Sequence, residues 1–198
     1  MQAVINCRAG GSCNGGSLSG PYAFAQSHGI PEMGCQVYTA SNPAKQSCSA
    51  IQRCMNCKWG QNYTQQCWSI STYTSWYTSQ YGRIVGPDQM KAEIYNRGPI
   101  SCGIDVTNKF ENYTGGIYSE KKLLIQINHA ISVNGWGVDP KTNEEYWIVR
   151  NSWGTHFGLN GYFKIKMHND NLGIDSHECW WGVPSATKSS EEFTQVDA

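Results

Sequence analysis

Charge is scarce in this sequence: 15% of the 198 residues are Asp, Glu, Lys or Arg, and 15 basic residues balance 15 acidic ones. A neutral chain without a Lys/Arg cluster lacks the counterion release that drives nucleic-acid binding, and it offers no polybasic stretch to an anionic membrane. Neither nucleic acid nor a membrane surface is therefore an expected partner. Long apolar runs are missing too, the densest being Leu123-Leu124-Ile125 and Ile131-Ser132-Val133, so membrane insertion is not expected. No HExxH, GxSxG or GxxxxGK[ST] pattern occurs, and Gly135-Trp136-Gly137 lacks the third glycine and the following helix of a dinucleotide loop. Metalloprotease, serine hydrolase and nucleotide chemistry thus have no support, and no metal or cofactor is expected. Met1 is followed by neither a basic nor an apolar targeting region, so this start cannot direct secretion.

Cysteine and aromatic residues, by contrast, are abundant: 9 Cys, 8 Trp and 11 Tyr. Most of the cysteines precede Trp68, in Gly/Ser/Asn/Gln-rich sequence without packing periodicity, which reads as a disulfide-bound segment made in an oxidising compartment. Cys54-Met55-Asn56-Cys57 is a lone CxxC; zinc would need a second pair or paired histidines, and redox chemistry a βαβ setting, so disulfide use is expected. The sequons Asn62-Tyr63-Thr64 and Asn112-Tyr113-Thr114 point to the same secretory route, lysosomal or extracellular. An odd number of cysteines leaves one without a partner unless another lies elsewhere, so the chain is expected to be incomplete.

Residues 1 to about 80 read as loop-rich, with one helix from Leu18 to His28, capped by Ser17 or Ser19 and stopped at Gly29-Ile30-Pro31. A second helix runs from Pro87 to Asn96 and ends at Gly98-Pro99. Strands follow at Ile100 to Val106, His129 to Val138, Glu145 to Asn151 and Gly161 to Met167, each rich in β-branched or aromatic residues. They predict an antiparallel, barrel-like sheet. The polar stretch 185–198 has no periodicity and reads as a mobile tail.

Among the five histidines, His28 sits at a helix C-terminus and His156, His168 and His177 lie in polar stretches. His129 instead heads a strand. Centring the next turn on residue 140 makes opposed residues sum to 280, and 129 plus 151 is 280. His129 then faces Asn151 on one side of the hairpin, with Cβ atoms ~4.5 to 5.5 Å apart, unless a one-residue bulge intervenes. An amide that fixes one imidazole nitrogen sets the tautomer and frees the other nitrogen to handle a proton, as a nucleophile's base requires. The alternative is a structural pair closing a sheet edge; Trp153, placed to shield the pair from water, favours the catalytic reading.

Asn128-His129-Ala130, Gly135-Trp136-Gly137, Asn151-Ser152-Trp153-Gly154 and Phe157-Gly158 with Gly161-Tyr162, in that order, resemble the His and Asn motifs of papain-like cysteine peptidases. Cys13-Asn14-Gly15-Gly16 is similar to the family's CNGG segment, and the resemblance covers about residues 1 to 184. It implies an α+β, disulfide-rich, two-lobe fold, with residues 1–100 the remainder of a helical lobe and 101–184 the sheet lobe. It implies peptide or protein substrates, His129 and Asn151 as catalytic residues, and Gly15, Gly16, Trp153 and His177 as substrate-binding ones. It also implies the disulfides Cys7 to Cys48, Cys35 to Cys54, Cys57 to Cys67 and Cys102 to Cys179. Cys13 is then left over, its family partner lying just before the nucleophile. None of the nine cysteines stands in the family's Gln…Cys-Gly-Ser-Cys-Trp context, so the nucleophile is expected in a missing N-terminal segment. The rival expectation is a non-catalytic papain-like glycoprotein that keeps the cleft as a peptide-binding or structural module.

Overall fold

The computed structural model describes residues 1–39 and 47–189, with the side chains of Asn62 and of 187–189 excepted. The Asn62 sequon therefore lies outside the described side chains. Contacts divide the chain into two compact units, residues 1–81 with the chain from Val183 onward, and Gly82–Gly182. Sequence texture had suggested a boundary near residue 100. The difference is one helix, which buries Met90 and Ile94 in the core of the sheet unit.

The first unit contains α1 (Gln2–Asn6), β1 (Gly11–Ser12), β2 (Gly15–Gly16), α2 (Gly20–His28), β3 (Ile30–Pro31), α3 (Ala50–Arg53), β4 (Met55–Trp59), β5 (Gln65–Ser69) and most of β6 (Tyr73–Ile84). Such short elements bury little apolar surface, and the disulfides Cys7–Cys48, Cys35–Cys54 and Cys57–Cys67 tie them together. Ser17 Oγ accepts the Gly20 N–H at 3.1 Å, so the helix begins two residues later than expected and Ser17, not Ser19, serves its first turn. β1 and β2 pair Gly11 with Gly16 so closely that a Cβ on Gly11 would lie 2.5 Å from the Gly15 carbonyl oxygen. The 12-residue β6 falls in sequence read as loop; its Tyr, Thr and Trp content is the strand signal.

The second unit follows as α4 (Pro87–Arg97), β7 (Ile100–Ile104), α5 (Asn108–Glu111), β8 (Ile117–Tyr118), β9 (His129–Val138), β10 (Glu145–Arg150), β11 (Tyr162–Lys166) and the start of β12 (Cys179–Ser189). Its strands take the open order β12-β7-β9-β10-β11-β8, antiparallel except where β8 joins β11. β12 continues as strand through Ser189, past the point where composition suggested a tail, because strand pairing uses backbone groups that polar residues also supply; residues 190–198 lie outside the described ones. Trp147, Val149, Phe163, Ile165, Ile100, Ile104 and Val133 form the buried face of the sheet, covered by Phe110 and Met90. No helix among the described residues is long and apolar enough to cross a membrane.

Cys102 and Cys179 are directly opposed in β7 and β12, and their bond closes a separation of 77 residues. Chain entropy assigns such a bond about 4 to 5 kcal/mol. Replacing both cysteines by Ala should lower urea-unfolding stability by about that much, and a loss under about 1 kcal/mol would contradict the assignment. Asp175 supplies a second test. Its Oδ1 accepts the Trp147 indole N–H at 2.8 Å, its Oδ2 is buried with no close hydrogen-bond partner among the described residues, and burial pushes the carboxyl up despite that indole bond and the nearby His168 backbone N–H. A folded-state pKa above the unfolded one favours the protonated fold, so this contribution is full below the ordinary value of 3.8 and is lost as pH rises through the raised value. Asp175→Asn keeps an acceptor for Trp147 and should flatten that decline in a pH series of thermal melts; an unchanged slope would refute the assignment.

Candidate active site

His129 is placed by the loop that precedes it. Asn128 bonds Val106 in both directions, Oδ1 accepting the Val106 N–H at 2.8 Å and Nδ2 donating to its carbonyl at 3.1 Å. Asp105 Oδ2 accepts the Gln126 N–H at 2.9 Å and pairs with Lys122 Nζ. Burial pushes the Asp105 carboxyl up, but these partners outweigh it and hold the group below its usual range. The loop end is thus fastened to β7, and His129 enters β9 opposite Ile104.

The hairpin register differs from the expected one. Opposed residues of β9 and β10 sum to 283 from Glu145↔Val138 to Ile148↔Gly135, then to 282 from Val149↔Val133 onward. The turn is longer than assumed: Asp139 Oδ1 accepts the Lys141 and Thr142 N–H groups, and Asn143 adopts φ 58°. The change of one is a β-bulge that leaves Asn134 without an opposite number, its Oδ1 accepting the Ser132 hydroxyl at 2.9 Å. Expected to spoil the pairing, the bulge creates it. Continued at 283, the ladder would set Asn151 against Ser132, on the other face from His129. At 282 it sets Asn151 against Ile131, two residues from His129 on the same face, a diagonal that long side chains span.

Across that diagonal His129 Nε2 lies 2.8 Å from Asn151 Oδ1. The same oxygen accepts the Ser152 backbone N–H at 2.8 Å, which fixes the amide as acceptor. Nε2 must then carry the proton, and in the neutral ring Nδ1 keeps its lone pair. Asn151 is 7% exposed, and its Nδ2 is buried with no partner among the described residues, so the amide is spent on holding the imidazole. The Trp153 ring stacks obliquely on His129 at 4.9 Å between centroids and meets Phe157 edge-on at 5.0 Å. Phe110 supports both, at 6.0 and 5.5 Å.

Trp153 also walls a cavity of about 540 Å³ together with Phe157, Tyr113, Glu111, Asn112, Thr114, His156 and Gly158. This wall is not reached from the sequence, since His156 lies in a polar stretch; the one sequence signal for it is the aromatic Tyr113 between polar Asn112 and Thr114, which the structure buries while exposing its neighbours. His177 Nδ1 lies near Ser176 Oγ and the Gly173 carbonyl, beside Ile125 and Ile127 over Gly173. Gly15 and Gly16 belong to the first unit, both exposed, where β2 pairs with β1 along one edge only. Cys13 is exposed and outside the four disulfides, whose pairs are those the resemblance implies. No cluster of three or more His, Cys, Asp or Glu side chains able to hold a metal occurs among the described residues.

An imidazole held by a carboxamide beneath an indole, at the end of an antiparallel sheet and within a disulfide-rich α+β chain, defines a class. The sequence profile described as papain family cysteine protease matches residues 1–180, and the chain belongs to that family. It is 42% identical over 193 residues to cathepsin Z of Onchocerca volvulus, a match covering 94% of this chain and 60% of that protein. Among solved structures, proCathepsin B S9 from Trypanosoma congolense superposes with a TM-score of 0.69 at 24% identity, covering 93% of this chain and 59% of that one. Digestive procathepsin L 3 of Tenebrio molitor larval midgut gives 0.71 at 23% identity, covering 92% and 54%. These two structures support the fold alone; the chain spans 60% of the length of its cathepsin Z relative.

Deleting Asn134 should remove the bulge yet leave Val133 opposite Val149, so that Asn151 still falls against Ile131 and on the face of His129. The His129 Nε2 proton should then stay as protected from exchange with water in NMR spectra as in the native chain. Rapid exchange of that proton while the β7–β9 amides stay protected would show that the bulge itself, and not the register beyond it, holds the pair.

Proposed function

We propose that this chain carries the general-base half of a cysteine peptidase site, His129 acting and Asn151 orienting it. The supporting observation is the Nε2–Oδ1 bond with the amide fixed by Ser152, which leaves Nδ1 as the basic nitrogen. Eight of the nine cysteines are bound in disulfides and Cys13 belongs to the Cys-Asn-Gly-Gly segment, so in this reading the thiol comes from a segment upstream of these residues. Nδ1 takes the thiol proton, the thiolate adds to the peptide carbonyl, and the imidazolium returns the proton to the departing amine, leaving a thioester that water hydrolyses. Trp153 keeps water from the Nε2–Asn151 bond.

The cavity beside Trp153 receives the leaving side of the substrate in this proposal. A leaving side of about that volume suits removal of short C-terminal pieces, as in a carboxypeptidase. The free edge of β2 offers strand-like hydrogen bonds to an extended peptide, and His177 is assigned to a side-chain pocket around Ile127. Four disulfides and the sequons support a lysosomal or extracellular location. The absence of any cysteine in the family's nucleophile context also supports a second reading, in which the chain binds peptides without cleaving them.

The 198-residue chain should release no fluorophore from a peptide substrate, because Nδ1 has no thiol to deprotonate and water is a poor nucleophile without oxyanion donors. Turnover by this purified chain that His129→Ala abolishes would overturn the missing-thiol proposal. A longer form carrying the upstream cysteine should turn over; peptide binding without turnover there would favour the second reading.

A further inference from the structure

We propose that an N-linked oligosaccharide on Asn112 forms the outer wall of the cavity beside Trp153 and limits what lies there to a short group. The inference rests on the assignment of that cavity to the leaving side of the substrate. Asn112 and Thr114, the two ends of the sequon, both line the cavity together with Trp153 and Phe157. Between them Tyr113 is 6% exposed, its hydroxyl donating to the Gly116 carbonyl at 2.6 Å and accepting the Lys164 N–H at 3.2 Å. Its ring packs on Phe157 at 5.9 Å and on Phe163 at 6.3 Å. With the middle residue anchored inward, both flanking residues are exposed at the cavity.

Asn112 Nδ2 donates one of its two hydrogens to the Asn108 carbonyl at 2.7 Å, closing the end of α5. The other hydrogen is available for substitution. Transfer from a lipid-linked diphosphate sugar donor forms the bond from the sugar C1 to Nδ2 and breaks the C1–O bond of the donor. The displaced Nδ2 proton leaves with the released lipid diphosphate. The remaining N–H keeps its bond to Asn108, so the first sugar departs from the cavity wall in a fixed direction. A chain with four disulfides passes through the compartment in which this donor acts. The cavity, about 540 Å³, has the size of a small-molecule pocket. A branched sugar at its rim leaves that volume accessible to one short group and obstructs a continuing polypeptide.

The test uses the whole chain made in a glycosylating host. The mass of the proteolytic fragment containing Asn112 reports occupancy. The Trp153 indole N–H is then followed by NMR as phenylalaninamide, or a decapeptide beginning with Phe, is added to three forms: glycosylated, enzymatically trimmed, and Thr114→Ala, which removes the sequon while keeping Asn112. Asn112 should be occupied, phenylalaninamide should shift the indole in glycosylated and trimmed chains alike, and the decapeptide should bind the trimmed and Thr114→Ala forms about tenfold more tightly than the glycosylated one. An unmodified Asn112, or equal decapeptide affinity in all three forms with phenylalaninamide still seated at Trp153, overturns the gate alone. No indole shift with either probe overturns the gate and the leaving-side assignment together, while the role of His129 is judged separately by turnover.

Discussion

The candidate site depends on one extra residue in a strand. Side chains alternate faces with a period of two, so a register that changes by one moves every later residue of a strand to the other side relative to its partner. The bulge at Asn134 makes that change between Ile148 and Val149. Beyond it the buried face reads Val133, Ile131, His129 on β9 and Val149, Asn151 leading out of β10, apolar until its end and polar where the pair forms. The imidazole thus continues the core's own face, which is why a buried amide and an aromatic wall are within its reach.

Around the pair the packing is aromatic where it shields and polar where it positions. Phe110 contacts Tyr113, Tyr118, Trp153, Phe157 and Phe163, so one buried ring supports the sequon turn, the β8 edge and the indole over His129. Phe157 provides an aromatic surface with no polar atom, so at 6% exposure it has no need to find a hydrogen-bond partner. In the sheet unit Cys102–Cys179 ties the neighbouring strands β7 and β12 across the longest separation, whereas the first unit relies on three bonds of shorter span. Covalent ties are densest where apolar burial is thinnest.

Much of this was legible in the sequence. Strands rich in β-branched and aromatic residues, helix stops at Gly29 and Gly98-Pro99, and the ordered His and Asn motifs point to the elements and to the family. The face shared by His129 and Asn151 was inferred correctly from a wrong register: 280 and 282 are both even, and parity alone selects the face. The register was not legible because it depends on the side-chain caps of Asp139, the left-handed Asn143 and the bulge, none of which the hydrophobic pattern encodes. β6 was missed because Ser, Gln and Gly interrupt the strand signal of its Tyr, Thr and Trp residues. The cavity was missed because its lining comes from α5 and from the segment after Asn151, which only the fold brings together.

The central claim is chemical: in the neutral ring the proton sits on Nε2 of His129, because the Asn151 oxygen, fixed by the Ser152 N–H, can only accept. Nitrogen-15 shifts of the neutral His129 ring report the tautomer directly. The account predicts a protonated Nε2 and an unprotonated Nδ1 in the native chain, and loss of that preference in Asn151→Ala. A ring protonated mainly at Nδ1, or a preference that survives Asn151→Ala, would contradict it.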